Sequence, residues 1–204
     1  VAAKTAVVSP TNMNILYLEV DNPIKISVPG YTAGVISAVI NNGKISVIKK
    51  SLGEYSARPS KKGKAMVSLF TEVNGKRTKM GDMEFRVKPV PPPKAELLGA
   101  KSVNGTTVID KMMMVNAGGI LARLKDFDFK GVRYMITSFR LTGVYKGEQM
   151  KEETKGPEFS LKMINIIKNI KSGNTITISN IQAKRVDYKN SDEIPLDPLV
   201  IEIK

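Results

Sequence analysis

Two groups of carboxylates are the side chains of this chain best suited to chemistry. Asp126-Phe127-Asp128 places both Asp side chains on one side of an extended segment, where they could bind a hard cation. Four more acids lie in one loop, at Asp187, Asp192, Glu193 and Asp197. The further oxygens and the distal Glu of an EF-hand are missing, so ordinary strand and loop residues are favoured over a calcium site or an acid–base pair.

The missing residue types exclude several kinds of active site. The chain has no Cys and no His. Without them it has no Ser–His or Cys–His nucleophile, no thiolate metal site and no disulfide framework. Carboxylate or Lys chemistry stays open, but we expect a protein that is not an enzyme and that holds neither a cofactor nor a metal.

Two short motifs have a structural and a functional interpretation. Gly118-Gly119 lacks the lysine of a phosphate-binding loop and the G-x-G-x-x-G spacing, so nucleotide binding is not favoured. The pair instead indicates unusual φ or close backbone approach. Met112-Met113-Met114 is apolar, and core packing or a subunit interface is favoured over an adaptable contact surface.

The chain is strongly basic, with a formal net charge of +13. Residues 1–88 hold 14 Lys/Arg against 6 Asp/Glu, and residues 89–204 hold 18 against 13. A solvated lysine-rich surface is the favoured interpretation, and nucleic acid or an anionic membrane is the alternative. The few aromatics do not interleave with a basic run, as a stacking platform for bases requires, so we expect no nucleic acid partner.

A proline-rich run divides the chain. Pro-Val-Pro-Pro-Pro-Lys spans residues 89–94, with the prolines at Pro89, Pro91, Pro92 and Pro93. Proline lacks the N–H that a sheet ladder needs, so such a run adopts extended polyproline II and acts as a semi-rigid spacer. We therefore predict two modules, 1–88 and 95–204, joined by a linker at 89–94.

Both modules are predicted to be β-rich. In the first, seven or so short strands at regular spacing indicate an immunoglobulin-like antiparallel sandwich. In the second, several strands surround one helix at about 159–171, where Leu161, Ile164, Ile167 and Ile170 recur at helical spacing. Residues 143–156 are predicted to be a hairpin or mobile loop, and residues 187–198 a polar loop. The fold class is thus mainly β, with an open sheet carrying a single helix in the second module.

Several segments read in order resemble one family. They are Asn14-Ile15-Leu16-Tyr17, Val20-Asp21-Asn22-Pro23-Ile24, Ser27-Val28-Pro29-Gly30, Asn116-Ala117-Gly118-Gly119-Ile120, Phe127-Asp128-Phe129, Ser138-Phe139, Lys171-Ser172-Gly173 and Ile181-Gln182-Ala183. The first three resemble the third periplasmic domain of the GldM/PorM family of Bacteroidetes, and the others resemble its C-terminal domain. The resemblance covers essentially the whole chain.

The resemblance implies a role in type IX secretion or gliding motility. The family member is a periplasmic homodimeric rod, anchored in the inner membrane by an N-terminal helix that pairs with a motor partner. Its far end contacts a ring complex associated with the outer membrane, so that proton flow in the inner membrane drives secretion or gliding. The chain begins at Val1 without Met, and we expect any such anchor to lie upstream.

The resemblance brings no catalytic residues, so partner contacts are predicted from the basic and polar loops of the second module. These residues are Lys146, Lys151, Lys155, Lys184, Arg185 and Tyr188. The main alternative function is a cell-surface or periplasmic adhesion or carbohydrate-binding module. The absence of Trp and the six scattered Tyr disfavour it. A carboxylate-dependent hydrolase is a third hypothesis, and a basic nucleic-acid binder is a fourth.

Overall fold

The computed structural model describes residues 14–49, 53–127, 129 and 131–204. The chain divides into two compact units, Val1–Val90 and Pro91–Lys204, which we name the first unit and the second unit. Strands dominate the described residues of both, so the mainly β fold class is confirmed.

Seven strands form two sheets in the described part of the first unit. They are β1 (Ile15–Tyr17), β2 (Asn22–Lys25), β3 (Ile36–Ile40), β4 (Lys44–Lys49), β5 (Glu54–Arg58), β6 (Gly63–Val73) and β7 (Lys76–Lys88). One sheet has the order β1-β7-β6-β3, with β1 parallel to β7, and the other has the order β2-β5-β4. This topology is compatible with the predicted immunoglobulin-like sandwich.

The two sheets of the first unit share one core. Apolar residues alternate with polar ones along β6 and β7, so Val67, Leu69 and Phe85 are buried on the same side. Tyr55 of β5 is also buried, and its hydroxyl donates a hydrogen bond of 2.8 Å to the Ile36 carbonyl of β3. This bond joins the two sheets, and burial raises the pKa of Tyr55.

Asn22 organises the turn between β1 and β2. Its side chain is buried; Oδ1 accepts from the Tyr17 amide at 2.8 Å, and Nδ2 donates to the carbonyls of Tyr17, Val20 and Ala57. An amide side chain is needed here because it both accepts and donates. The Asn-Pro pair is therefore a structural feature of the first unit.

The second unit contains nine strands and two helices in its described residues. They are β8 (Lys94–Glu96), β9 (Lys101–Val103), β10 (Thr106–Ile109), α1 (Lys111–Ala117), β11 (Leu121–Arg123), β12 (Tyr134–Tyr145), β13 (Glu148–Lys155), α2 (Leu161–Asn169), β14 (Thr175–Arg185), β15 (Glu193–Leu196) and β16 (Leu199–Ile203). A seven-stranded sheet runs β13-β12-β14-β16-β10-β9, with β15 also paired to β14. β8 and β11 form a separate pair.

Helix α2 covers one face of the seven-stranded sheet. It begins after Ser160, whose Oγ accepts from the Met163 amide at 3.2 Å, as an N-cap does. The predicted helix is confirmed, but its buried stripe is Met163, Ile166, Ile167 and Ile170, while Leu161 is 81% exposed. The stripe is shifted because Met163, not Leu161, fits the spacing set by Ile166, Ile167 and Ile170.

The prediction of a single helix is wrong, because Met112-Met113-Met114 lies in α1. Asp110 caps its start by accepting from the amides of Met112 and Met113, at 2.8 and 3.0 Å. Met114 is fully buried, whereas Met112 and Met113 are about half exposed. Only one methionine of the run therefore packs in the core, since a short helix on a sheet buries one side.

The segment predicted as a hairpin or mobile loop and the segment predicted as a polar loop both carry strands. Residues 143–156 complete the β12–β13 hairpin, which turns at residues 146–147. The predicted polar loop at 187–198 contains β15, which pairs with residues 181–184 of β14. β16 pairs with residues 175–178 of the same strand, and the two pairings have the same register. Pro198 lies at the interruption, since it has no N–H for the ladder.

Candidate interaction surface

The seven-stranded sheet has one face turned away from α2, which we call the open face. Phe139 and Leu141 of β12 are buried with α2 in the core, and a Cβ at Gly143 would lie 2.4 Å from Ile170 Cδ1. Side chains alternate along a strand, so the residues between and beside these point to the open face. On β12 they are Ser138, Arg140, Thr142 and Val144.

Three of the six predicted partner-binding residues lie on the open face. Lys151 is opposite Thr142 in the β12–β13 pair, and Lys155 is opposite Ser138. Lys184 is opposite Met135, whose neighbour Ile136 points to the core with Ala183. The fold thus brings together lysines that lie on separate strands.

Lys146 lies outside this face, at the turn of the β12–β13 hairpin. Its φ is 51°, the left-handed region that a tight hairpin turn requires. Its Nζ lies 5.3 Å from the centre of the Tyr145 ring, within the range of a cation–π contact. Lys146 is exposed and marks one end of the hairpin.

Arg185 lies inside the second unit rather than on its surface. It is 8% exposed, and its guanidinium is ion-paired with Asp187. Asp187 Oδ1 also accepts from the Arg133 amide at 3.0 Å. Burial alone would raise the pKa of Asp187, but these hydrogen bonds outweigh it and hold the pKa below its ordinary value.

Tyr188 packs beside this ion pair. Arg185 lies 5.6 Å from the centre of its ring, and the Tyr188 carbonyl accepts from the Ser191 amide at 3.1 Å. Ser191 Oγ in turn donates to the Arg185 carbonyl at 2.9 Å. Arg185, Asp187 and Tyr188 therefore shape the loop that follows β14, and do not contribute charge to the open face.

The carboxylates considered for chemistry do not converge. Asp187 is ion-paired with Arg185, and Glu193 is the first residue of β15. Asp126 lies in a different segment, in a turn with a φ of 54°. Asp128 lies outside the described residues. Among the residues that the structure describes, no group of three or more acids, His or Cys is arranged to hold a metal ion.

The two glycines at the end of α1 are each required for a different structural reason. Gly118 has a φ of 70° and ends the helix, with its amide bonded to the Val115 carbonyl. Gly119 forms an antiparallel β-bridge with Glu158. A Cβ at Gly119 would therefore lie 2.1 Å from the Pro157 carbonyl oxygen. The pair is explained without a ligand.

The open face also contains a polar cleft that the sequence did not predict. Its volume is about 250 Å³, and its walls include Ser138, Arg140, Glu153, Asn180 and Gln182. The β12–β14 register shifts on both sides of Ser138, and Asn180 has a φ of 51°, so two compensating bulges shape it. No short motif announces such a cleft, because it depends on the strand register.

The proline run has no regular secondary structure at residues 89–93. Val90 and Pro93 are buried, and Pro89 and Pro92 are exposed. Lys94, placed in the predicted linker, is the first residue of β8 and pairs with Arg123.

Two solved structures show a distant similarity to the chain. The adhesin InvE of Yersinia pseudotuberculosis is 12% identical, with 93% of this chain and 56% of that chain covered and a TM-score of 0.27. The SGBP-B of a Bacteroides ovatus mixed-linkage glucan utilization locus, in complex with a mixed-linkage heptasaccharide, is 15% identical, with 92% and 42% covered and a TM-score of 0.26. None of the curated proteins matches the chain.

Two family models match consecutive parts of the chain. The GldM third domain matches residues 5–88, and the GldM C-terminal domain matches residues 89–204. Domains of this kind belong to gliding-motility and type IX secretion components, are periplasmic, and are not known for catalysis. In the described part of the chain, no helix is long and apolar enough to span a membrane. The resemblance is confirmed, and the chain belongs to the GldM family.

Proposed function

We propose that the chain is part of the periplasmic region of a type IX secretion and gliding-motility motor subunit. In this role it belongs to a dimeric rod that connects the inner-membrane motor to the outer-membrane-associated ring and transmits force for protein secretion. The observation that supports the proposal is the succession of the third and C-terminal GldM domains along the chain.

The two units would divide the work of the rod. The second unit would bind the ring, and a homodimer would carry two such units. The inner-membrane motor partner would bind a region outside these 204 residues, which would also hold the membrane anchor. The chain itself would act mechanically and not as an enzyme.

The proline run would act as the joint between the modules, predicted at 1–88 and 95–204. Its prolines restrict φ to about −65° and so reduce the number of conformations that the joint can adopt. A Gly/Ser tether of the same length would behave as a flexible coil and would absorb a displacement instead of transmitting it.

Replacing Pro89, Pro91, Pro92 and Pro93 by alternating Gly and Ser in the full-length protein tests this proposal. We expect both units to stay folded and the ring to co-purify as before, while secretion and gliding fall several-fold. Unchanged secretion would show that the joint is only a spacer.

A deletion of residues 95–204 is the companion variant. It should abolish co-purification of the ring as well as secretion, because it removes the proposed binding unit. If the ring still co-purified, the second unit would not be the part that binds it.

A further inference from the structure

We propose that the open face of the second unit binds an acidic segment of the partner protein. Lys151, Lys155 and Lys184 would supply the counter-charges, and the cleft beside Arg140 would seat one carboxylate. The inference rests on the partner-binding role proposed for the second unit and adds to it a face and a chemistry.

The open face carries lysines on β13 and β14, and the acids Glu153, Glu193 and Glu202 also lie on it by strand register. Lys151, Lys155 and Lys184 form no ion pair within the described residues, whereas Lys64, Lys79 and Lys162 each pair with an acid. Glu153, the acid between Lys151 and Lys155 on β13, is engaged by Arg140. Alternate residues of a strand lie about 7 Å apart, so Lys151 and Lys155 each lie about 7 Å along β13 from Glu153, which lines the cleft.

The cleft offers hydrogen-bond donors that have no partner among the described residues. Arg140 donates Nε and one Nη to the same oxygen of Glu153, and its other Nη has no acceptor among the described residues. The side chains of Ser138, Asn180 and Gln182 also line the cleft and form no hydrogen bond within the described part of the chain. Charge-assisted bonds from such donors suit a carboxylate.

The same face disfavours some other occupants. Its described residues include no aromatic side chain on which a base or a sugar could stack. Its exposed apolar residues by strand register are Met135, Val144, Val200 and Val103, which are spread over β12, β16 and β9.

Two variants with the same charge change make the test specific. One carries Lys151→Gln, Lys155→Gln and Lys184→Gln on the open face. The other carries Lys162→Gln, Lys168→Gln and Lys171→Gln, three exposed lysines on or next to α2, on the covered side of the sheet. Their equal net charge separates recognition by a face from general attraction to a basic protein.

The probe is a labelled ten-residue peptide of alternating Glu and Ser, with a Gln–Ser peptide as its neutral twin, and fluorescence anisotropy on the 204-residue chain measures binding. We expect the open-face variant to bind the acidic peptide about tenfold more weakly, the loss expected for three exposed ion pairs. The α2 variant should lose less than about threefold. Equal losses in the two variants, or a chain that binds both peptides alike, would overturn the inference.

Glu153 and Arg140 give a second test with opposite signs. Glu153→Gln frees the guanidinium and removes a repelling charge, so the acidic peptide should bind about two- to fivefold more tightly. Arg140→Gln should weaken it by a similar factor. Weaker binding in both variants would show that the cleft is a structural ion pair and not a carboxylate seat.

The full-length protein in cells separates this inference from the proposed function. If deletion of residues 95–204 releases the ring and the open-face variant also releases it, both are supported. If the deletion releases the ring and the open-face variant retains it, the proposed function stands and the acidic segment is wrong. If the deletion retains the ring, the binding role of the second unit falls first.

Discussion

The first unit encloses its core between two sheets, whereas the second encloses its core between one sheet and two helices. In the first, Tyr55 bonds across to Ile36, and both sheets turn their inner faces to each other. In the second, α2 and α1 cover one face of the seven-stranded sheet. In the described residues of the second unit, no element of its own packs as a second sheet on the open face.

The difference shows where each unit places its polar groups. A sandwich leaves its outer faces and edges for solvent, while a sheet covered on one side presents a broad flat face of side chains from several strands. In the second unit, residues distant in sequence, such as Lys151 and Lys184, therefore share one broad surface. The comparison can be tested by changes that affect one unit and spare the other.

The largest effect is expected from Gly119→Ala. Its Cβ would meet the Pro157 carbonyl oxygen at 2.1 Å, a backbone atom that cannot move aside without displacing the segment that leads into α2. We expect the second unit to lose about 3 kcal/mol of unfolding free energy. Hydrogen exchange read by mass spectrometry, which separates peptides of the two units, should show no change in the first unit.

Gly118→Ala is the matched control for this substitution. Its Cβ would meet no atom within 4 Å, but its φ is 70°, so only left-handed strain of about 1 kcal/mol applies. If the two variants were equally destabilised, the contact with Pro157 would not be the reason for Gly119.

These neighbouring glycines show how far the sequence alone could predict the fold. Strand-rich modules and the helix near residues 159–171 follow from local alternation and spacing, which are visible in the sequence. Gly118 also has a local signal, since it follows a helix that Asp110 caps. Gly119 has none, because its neighbour Pro157 is far away in the chain.

The candidate surface was predictable in part for the same reason. Exposed lysines of the second module are readable as charge, but their common face depends on which residues lie opposite each other in β12, β13 and β14. Arg185 and Lys184 are adjacent in sequence and lie on opposite sides of the sheet. A pairing register is set by the whole sheet, so composition could not separate them.

A somewhat smaller effect is expected in the first unit from Asn22→Ala. The change removes one acceptor and three donated bonds around a buried turn, and leaves buried backbone groups unpaired. We expect a loss of about 2–3 kcal/mol in the first unit and none in the second. Urea unfolding, monitored by hydrogen exchange in peptides from each unit, measures the change in stability of both units.

Asn42→Ala is the control in the same unit. Its side chain also bonds to backbone, with Nδ2 2.7 Å from the Lys61 carbonyl, but the site is exposed. Water can replace these bonds, so the cost should be below about 1 kcal/mol. A cost equal to that of Asn22→Ala would show that burial of Asn22 is not what makes it important.

The smallest effect is the pH dependence contributed by Asp187. The pKa of this carboxyl is lower in the folded protein than in the unfolded chain, so its stabilising contribution is present above the ordinary Asp pKa of about 3.9 and is lost as the pH falls through the folded pKa. Because Asp187 is partly exposed, we expect about 1 kcal/mol at pH 7. The stability difference between the wild-type chain and Asp187→Asn should therefore shrink from pH 6 to pH 2.5 in the second unit.

Asp82 provides the comparison in the first unit. Hydrogen bonds from Lys79 and Ser68 lower the pKa of its carboxyl, but the group is exposed on β7, where water screens these interactions. Asp82→Asn should therefore leave the acid sensitivity of the first unit nearly unchanged, while Asp187→Asn changes that of the second. An equal response in the two units would mean that burial of the Arg185–Asp187 pair adds nothing to its strength.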